Sequence, residues 1–219
     1  MLYRETTSDE LFNVLVKLMA IPELSDFRLV GGTALSLLRG HRLSVDIDMF
    51  CDGPYGEIDF NFIFEVIKMT FPYVEETNPF LSPTDQGNNL GLYLFIGEDE
   101  ETSIKTDILY WDAPFLYPEI EEQGIRLATI EDIGAMKLDA ISRGGRKKDF
   151  WDLSEILKTH SMATLLEIYQ QKYPWFEIQD VVNGLSNFAV ADLMPDPICY
   201  KKKNWDAIKN EILSEASKL

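Results

Sequence analysis

At 219 residues and 25.1 kDa the chain has room for one ordinary domain or two small, closely packed ones, and its 46% apolar content is enough for a core. A formal charge of −17 argues against a general nucleic-acid coat protein, because such proteins bind by neutralising phosphates with many Lys and Arg, so any RNA contact must use a local basic patch. Cys51 and Cys199 lack metal or disulfide-scaffold spacing, the N-terminus MLYRETTSDELF has acids where a signal peptide needs an apolar core, and no run approaches the ~18 apolar residues of a membrane span. A cytoplasmic protein without a membrane anchor is expected.

In chain order, residues 8–20 predict an amphipathic packing helix, with Ser8 as N-cap and Leu11, Val14, Leu15 and Leu18 on one stripe. Phe27 to Val30 reads as a short strand stopped by Gly31-Gly32, where absent side chains allow unusual backbone angles and close approach of a ligand to the main chain. Leu35, Leu37 and Leu38 fill out a short helix that ends at Arg39-Gly40. From Leu43 the pattern switches to period two, with Leu43, Val45, Ile47 and Met49 on one face and Ser44, Asp46 and Asp48 on the other. Two acids then stand side by side over an apolar floor.

Asp52-Gly53-Pro54 marks a turn, and 57–70 predicts a helix with an apolar stripe of Ile58, Phe62, Val66 and Met69. Strands are expected over 73–77, 90–96 and 103–111, with turns at 83–87 and 97–100. In the last strand Lys105, Asp107 and Leu109 share one face and Ile104, Thr106, Ile108 and Tyr110 the other, which puts an acid on a strand that otherwise reads as buried.

From Thr129 the pattern is helical, opening on a capping-box arrangement in which Asp132 stands where Glu or Gln is usual. Ile130, Ile133, Lys137 and Ile141 recur at three and four, which seats Lys137 on the apolar stripe. Either its stem snorkels along the interface, or its head reaches an anion held between the two halves of the protein. Gly144-Gly145 ends this helix, and the next, from Arg146, carries Asp149 and Asp152 on one side. Asp152 reads equally well as an intrahelical or capping partner. Arg143, Arg146, Lys147 and Lys148 form the densest basic cluster, by default a solvated turn and otherwise a guide for an RNA end or nucleotide phosphates; Lys201-Lys202-Lys203 is a weaker second. Three core-packing helices follow, at 162–173, 176–188 and 205–218. The change from strand-rich to helix-rich pattern divides the chain into 1–125 and 126–219.

Asp46 and Asp48 repel one another unless a cation or proton compensates them. A hard divalent ion takes carboxylate oxygens together with substrate phosphates, so an acid pair beside a glycine turn suits a metal-bound nucleoside triphosphate. The plainer reading is a solvated strand edge that happens to carry two acids.

Val30-Gly31-Gly32, thirteen intervening residues and Asp46-Ile47-Asp48-Met49 resemble the signature of the DNA polymerase β-like nucleotidyltransferase superfamily. The fuller set, GGTAL with Arg42, Ser44 and DID, and then AMKLDAISRGGRKKDFWDL, is similar to the AbiEii-type toxin nucleotidyltransferases. The resemblance implies an α/β (α+β) fold, with a mixed-sheet core over 1–125 and a C-terminal helical bundle over 126–219 that contributes Lys137 and Asp149 to the site. It implies that Gly31, Gly32 and Thr33 hold the β- and γ-phosphates and that Asp46, Asp48 and Asp107 bind Mg²⁺ or Mn²⁺, with Asp107 helping to deprotonate the acceptor hydroxyl. Lys137 would contact the phosphates, Asp149 would position Lys137 or the nucleotide, and Arg42 and Ser44 would support nucleotide binding. The reaction implied moves an NMP from an NTP to an acceptor hydroxyl with loss of pyrophosphate. The acceptor implied is RNA, notably a tRNA 3′ end, and the protein would be the toxin half of a toxin-antitoxin pair. Two other classes stay open: a small-molecule nucleotidyltransferase resembling aminoglycoside-modifying enzymes, and a non-catalytic nucleotide-binding module.

Overall fold

The structure is a computed structural model that describes residues 1–77 and 90–219; the turn expected at 83–87 lies outside the described residues. Helix α1 (Asp9–Met19) begins at Ser8, whose hydroxyl accepts from the Leu11 N–H, and it buries Leu11, Leu15 and Leu18 completely. Each such leucine contributes about 1.5–3 kcal/mol of burial. Strand β1 (Arg28–Leu29) leads through Val30 into α2 (Gly31–Arg39), which ends at Gly40 in the left-handed region at φ 63°. The two glycines are therefore the first turn of a helix.

The expected alternation from Leu43 is realised only in its second half. Strand β2 is Ile47–Cys51; residues 43–46 are irregular, and Val45 is 60% exposed where the pattern placed it on the apolar floor. Backbone bonds explain the difference. The Leu43 N–H donates to Ile198 and the Ser44 N–H to Thr6, so this stretch is pinned to both ends of the chain and does not pair in the sheet. Within β2, Ile47, Met49 and Cys51 are buried, while Asp48 and Phe50 occupy the other face.

Helix α3 (Phe60–Thr70) is capped by Asp59 and buries Phe60, Ile63 and Ile67. The expected stripe is out of phase: Phe62 is 54% and Met69 78% exposed. The sequence FNFIFEVIKMT is apolar on several sides, so its periodicity does not fix which side is buried. Strands β3 (Tyr73–Glu76), β4 (Gly91–Gly97) and β5 (Ile104–Tyr110) follow, and then a hairpin the periodicity did not suggest, β6 (Ile120–Glu122) and β7 (Ile125–Leu127).

The seven strands among the described residues form one mixed sheet in the order β3-β4-β5-β2-β1-β7-β6. β2 runs parallel to β5 and β1 parallel to β7; the other pairs are antiparallel. Helices α4 (Ile130–Ser142), α5 (Lys147–Ile156), α6 (Met162–Lys172), α7 (Ile178–Gly184), the short α8 (Ala189–Asp192) and α9 (Trp205–Ala216) complete the chain. α4 packs against α5, α6 and α7, and α2 touches both α4 and α5. One buried apolar cluster runs from Leu2 to Ile212, so the sheet and the helices share a core. This is an α+β fold.

Candidate active site

The parallel register of β2 and β5 sets Asp48 directly opposite Asp107. Burial, and then the charges of Asp107 and Asp46, hold the Asp48 carboxyl above the usual carboxylate range. Asp107 is held on one oxygen, Oδ2, by Lys105, while its buried Oδ1 has no hydrogen-bond partner. Asp46, just before β2, receives Lys148 Nζ at 3.0 Å from the start of α5. Two lysines thus offset part of the repulsion among three acids.

The glycines make room for the protein's own side chains. Gly31 has φ 68°, and a Cβ there would lie 2.6 Å from Asp48 Oδ2. A Cβ on Gly32 would collide with the Arg42 guanidinium. Each missing side chain is therefore filled by a charged group. No side chain caps α2, so the N–H groups of its first turn are left for an anion, where the aligned helix dipole also favours negative charge.

The remaining expected nucleotide contacts are placed differently from the sequence reading. Thr33 is buried, and its hydroxyl bonds Ser44 Oγ and the Asp46 carbonyl, tying α2 to the approach of β2; only its backbone N–H is left for a phosphate. Ser44 is buried as that partner. Arg42 does not share a strand face with the acids. It is buried and makes a two-armed pair with Asp152, from Nε at 2.6 Å and Nη2 at 2.8 Å.

Lys137, from the middle of α4, reaches Asp149 Oδ1 and Asp152 Oδ2, both at 2.7 Å. Burial alone would lower its pKa, but Asp152 and Asp149 outweigh that and raise it, so the ammonium is retained. An ammonium has three N–H donors; one is given to Asp149 in a hydrogen bond, while Asp152 is held as an ion pair. Asp149 also accepts from the Arg146 backbone N–H at 3.0 Å, which closes the first turn of α5 and fixes where its carboxylate can sit. His41 Nε2 lies 2.8 Å from Asp152, a buried partner that sequence reasoning missed; it stands next to Arg42, 111 residues from the acid, with no local signal.

A cavity of about 210 Å³ opens among Gly31, Asp48, Lys137 and Asp149, so the sheet and the helices meet at one hollow. Phe50, Trp111, Met136 and Tyr173 also line it, and none was singled out beforehand. Phe50 was legible in principle, two residues past Asp48 and so on its face.

Of the basic cluster, Arg143 pairs with Asp139, Arg146 with Asp149, Lys147 with Asp196 and Lys148 with Asp46; of the second run, Lys203 pairs with Glu211. Among the described residues no three His, Cys, Asp or Glu side chains converge as a ready metal cage. The residues nonetheless fit a hard divalent ion, which keeps waters and phosphate ligands and needs only one or two carboxylates: Asp48 is crowded by like charges, and Asp107 Oδ1 is orphaned.

The family model for the nucleotidyl transferase AbiEii toxin of type IV toxin-antitoxin systems matches residues 13–218. The chain belongs to the AbiEii family. AbiEii proteins are nucleotidyltransferase toxins, and this chain is a nucleotidyltransferase. An uncharacterized protein of Aquifex aeolicus (strain VF5) is 29% identical over 184 residues, covering 80% of this chain and 79% of its own. Among solved structures, the nucleotidyltransferase toxin MenT4 from Mycobacterium tuberculosis H37Rv superposes with a TM-score of 0.59 at 13% identity, over 95% of this chain and 82% of its own. JHP933 from Helicobacter pylori does so with 0.54 at 19% identity, over 95% and 88%. At these identities the structural likeness concerns the AbiEii fold. No helix among the described residues is long and apolar enough to cross a membrane.

Proposed function

We propose that this AbiEii-family chain moves a nucleoside monophosphate from an NTP to an acceptor hydroxyl on RNA, notably a tRNA 3′ end, in a reaction dependent on Mg²⁺ or Mn²⁺, and that a cognate antitoxin opposes it. One observation carries the reading. Asp48 and Asp107 stand in register on parallel strands beside an uncapped helix N-terminus, and Asp48 shares its cavity with a buried, doubly paired lysine from a later helix. A cytoplasmic setting, where NTP and RNA coexist, follows from it.

In this reading residues 1–125 supply the acids and the glycine turn, and 126–219 supply Lys137 and Asp149. The N–H groups of Gly31, Gly32 and Thr33 hold the β- and γ-phosphates, while the Thr33 hydroxyl, Ser44 and Arg42 keep that turn in place from beneath. Asp46, Asp48 and Asp107 would hold the divalent ion, which supplies charge neutralisation for the entering and leaving oxygens when bound. Asp107 would also help to take the proton of the acceptor hydroxyl. The acceptor oxygen then bonds to the α-phosphorus as the bond to pyrophosphate breaks opposite it. Lys137 turns a remaining N–H toward the triphosphate and stabilises the charge that gathers on the leaving group. Asp149 holds Lys137 in that pose.

The test is to incubate the protein with each labelled NTP, Mg²⁺ and total RNA, alongside Asp48→Ala and Lys137→Ala. Label in RNA with the wild type and in neither variant is expected. Label passed only to small amines or hydroxyl compounds would replace the RNA acceptor, and nucleotide bound but never transferred would end the enzymatic reading.

A further inference from the structure

After α6 the chain passes through the buried Tyr173 and turns outward as Pro174-Trp175-Phe176 before α7 begins at Ile178. The sequence pattern starts a core-packing helix at Phe176, yet Trp175 is 53% and Phe176 40% exposed. The two rings adjoin one another, with centroids 6.1 Å apart, and each adjoins Tyr173, at 6.3 and 6.2 Å. Tyr173 belongs to the cavity wall, so the exposed pair carries that wall on to the surface. The Arg143 guanidinium lies 5.3 Å from the centre of the Phe176 ring, and the carboxylate it holds, Asp139, is another residue of the wall.

An RNA brought to this surface meets a chain of formal charge −17. Nucleic-acid affinity ordinarily comes from cations that neutralise phosphates, but Arg143, Arg146, Lys147 and Lys148 each already hold a carboxylate. Exposed Glu177 and Asp180, next along the chain, repel phosphates further. Stacking escapes that limit, because every base has a π-face and an aromatic ring needs no counter-charge to hold it. One cation is still well placed: Arg143 uses Nη2 on Asp139, and the N–H groups on Nη1 and Nε can serve a single phosphate.

We infer that Trp175 and Phe176, with Arg143, form a stacking platform for the unpaired nucleotides at the end of an RNA acceptor, which is held by its base faces more than by its phosphates. In a duplex those faces are covered by neighbouring bases, so the platform selects an RNA with a single-stranded end. Exposed aromatic rings also suit a protein partner; continuity with the cavity wall and the guanidinium beside Phe176 favour RNA. The inference rests on the RNA acceptor proposed above.

The test is equilibrium binding of a labelled RNA hairpin with a short single-stranded 3′ tail, and of the same hairpin with a blunt end, to the wild type, Trp175→Ala and Trp175→Phe, with no NTP present. The wild type is expected to bind the tailed hairpin about tenfold more tightly than the blunt one. Trp175→Ala should lose that difference, and Trp175→Phe, which keeps a ring, should retain most of it. Added salt should weaken the tailed complex gently, with log K falling by about 0.7–1.4 per decade of salt, as for one or two phosphate contacts; a fall steeper than about 3 per decade overturns the inference, because phosphates would then carry the binding. A tail preference that Trp175→Ala leaves intact also overturns it and frees the rings for a protein partner, and so does an equal loss for both hairpins. Binding of NTP with Mg²⁺ separates the two readings: a wild type that binds nucleotide but neither hairpin loses the RNA acceptor and this inference together, whereas one that binds the tailed hairpin without regard to Trp175 loses this inference alone.

Discussion

Asp152 has no exposed surface and gathers His41, both arms of Arg42 and Lys137 around one carboxylate. Burial would raise its pKa, but Arg42 and Lys137 outweigh burial and hold it well below the usual carboxylate range. A depressed carboxylate contributes stability that is present above the unfolded-state value of about 3.9 and is lost as pH falls through the folded-state value. Asp152→Asn strands the buried Arg42 guanidinium, leaves Lys137 with Asp149 alone, and is expected to cost about 3–5 kcal/mol near neutral pH. In urea unfolding followed from pH 7 downward, the wild-type advantage should hold to about pH 4 and then shrink; an advantage that persists unchanged in acid would mean that the charge is not its source. The acids of β2 and β5 were legible because strand periodicity assigns faces, and Lys137 because a cation on an apolar stripe is out of place. The Arg42–Asp152 pair was not, since it joins positions 110 residues apart and neither neighbourhood announces the other. That pair leaves Arg42 buried beneath Gly32 with two of its nitrogens on Asp152.

Among the elements, α4 is the hub, with α2, α5, α6 and α7 all against it. It meets α7 closely, where a Cβ on Gly184 would lie 2.5 Å from the Ile141 carbonyl oxygen and 2.9 Å from its carbon. Backbone cannot move aside as a flexible side-chain end can. Gly184→Ala should therefore push α7 off α4 and destabilise the fold by about 1–3 kcal/mol, read as an earlier thermal or urea transition, although in an isolated helix the same change is favourable. An unchanged or raised midpoint would show that the two helices have slack. Long, strongly patterned elements such as α1 and α4 could be read from sequence. Strands β6 and β7, three residues each, could not, because so short a stretch shows no period; nor could the phase of α3, where Phe, Ile, Val and Met lie on every side. The hairpin matters for the site all the same: β7 pairs alongside β1 and hands the chain directly to α4, so it fixes the height at which Lys137 enters.

On the scale of the whole molecule, Asp48 and Asp107 come from the sheet and Asp46 from the segment leading into it, Lys137 and Asp149 come from the helices, and a single apolar core lies under both. A ligand seated between them should stabilise the entire chain and not one part of it. At a hundred times its dissociation constant a ligand adds about 2.7 kcal/mol, and a chain of this size gains roughly 2–4 °C per kcal/mol, so NTP with Mg²⁺ should raise the melting temperature by about 5–11 °C in one cooperative transition. Mg²⁺ alone should do far less, because Lys105 and Lys148 already sit on Asp107 and Asp46, and the free ion has to displace ammonium groups without the phosphates that would re-engage them. The chain's formal charge of −17 sharpens the contrast, since a triphosphate approaching without its metal meets an adverse field. Asp48→Ala should lose most of the joint shift while keeping the unliganded transition near the wild-type position, or slightly above it, because it removes a crowded carboxylate. A large shift with Mg²⁺ alone, or a melt that splits in two when nucleotide is added, would place the ligand on one half of the protein and remove the reason for bringing Lys137 to the acids.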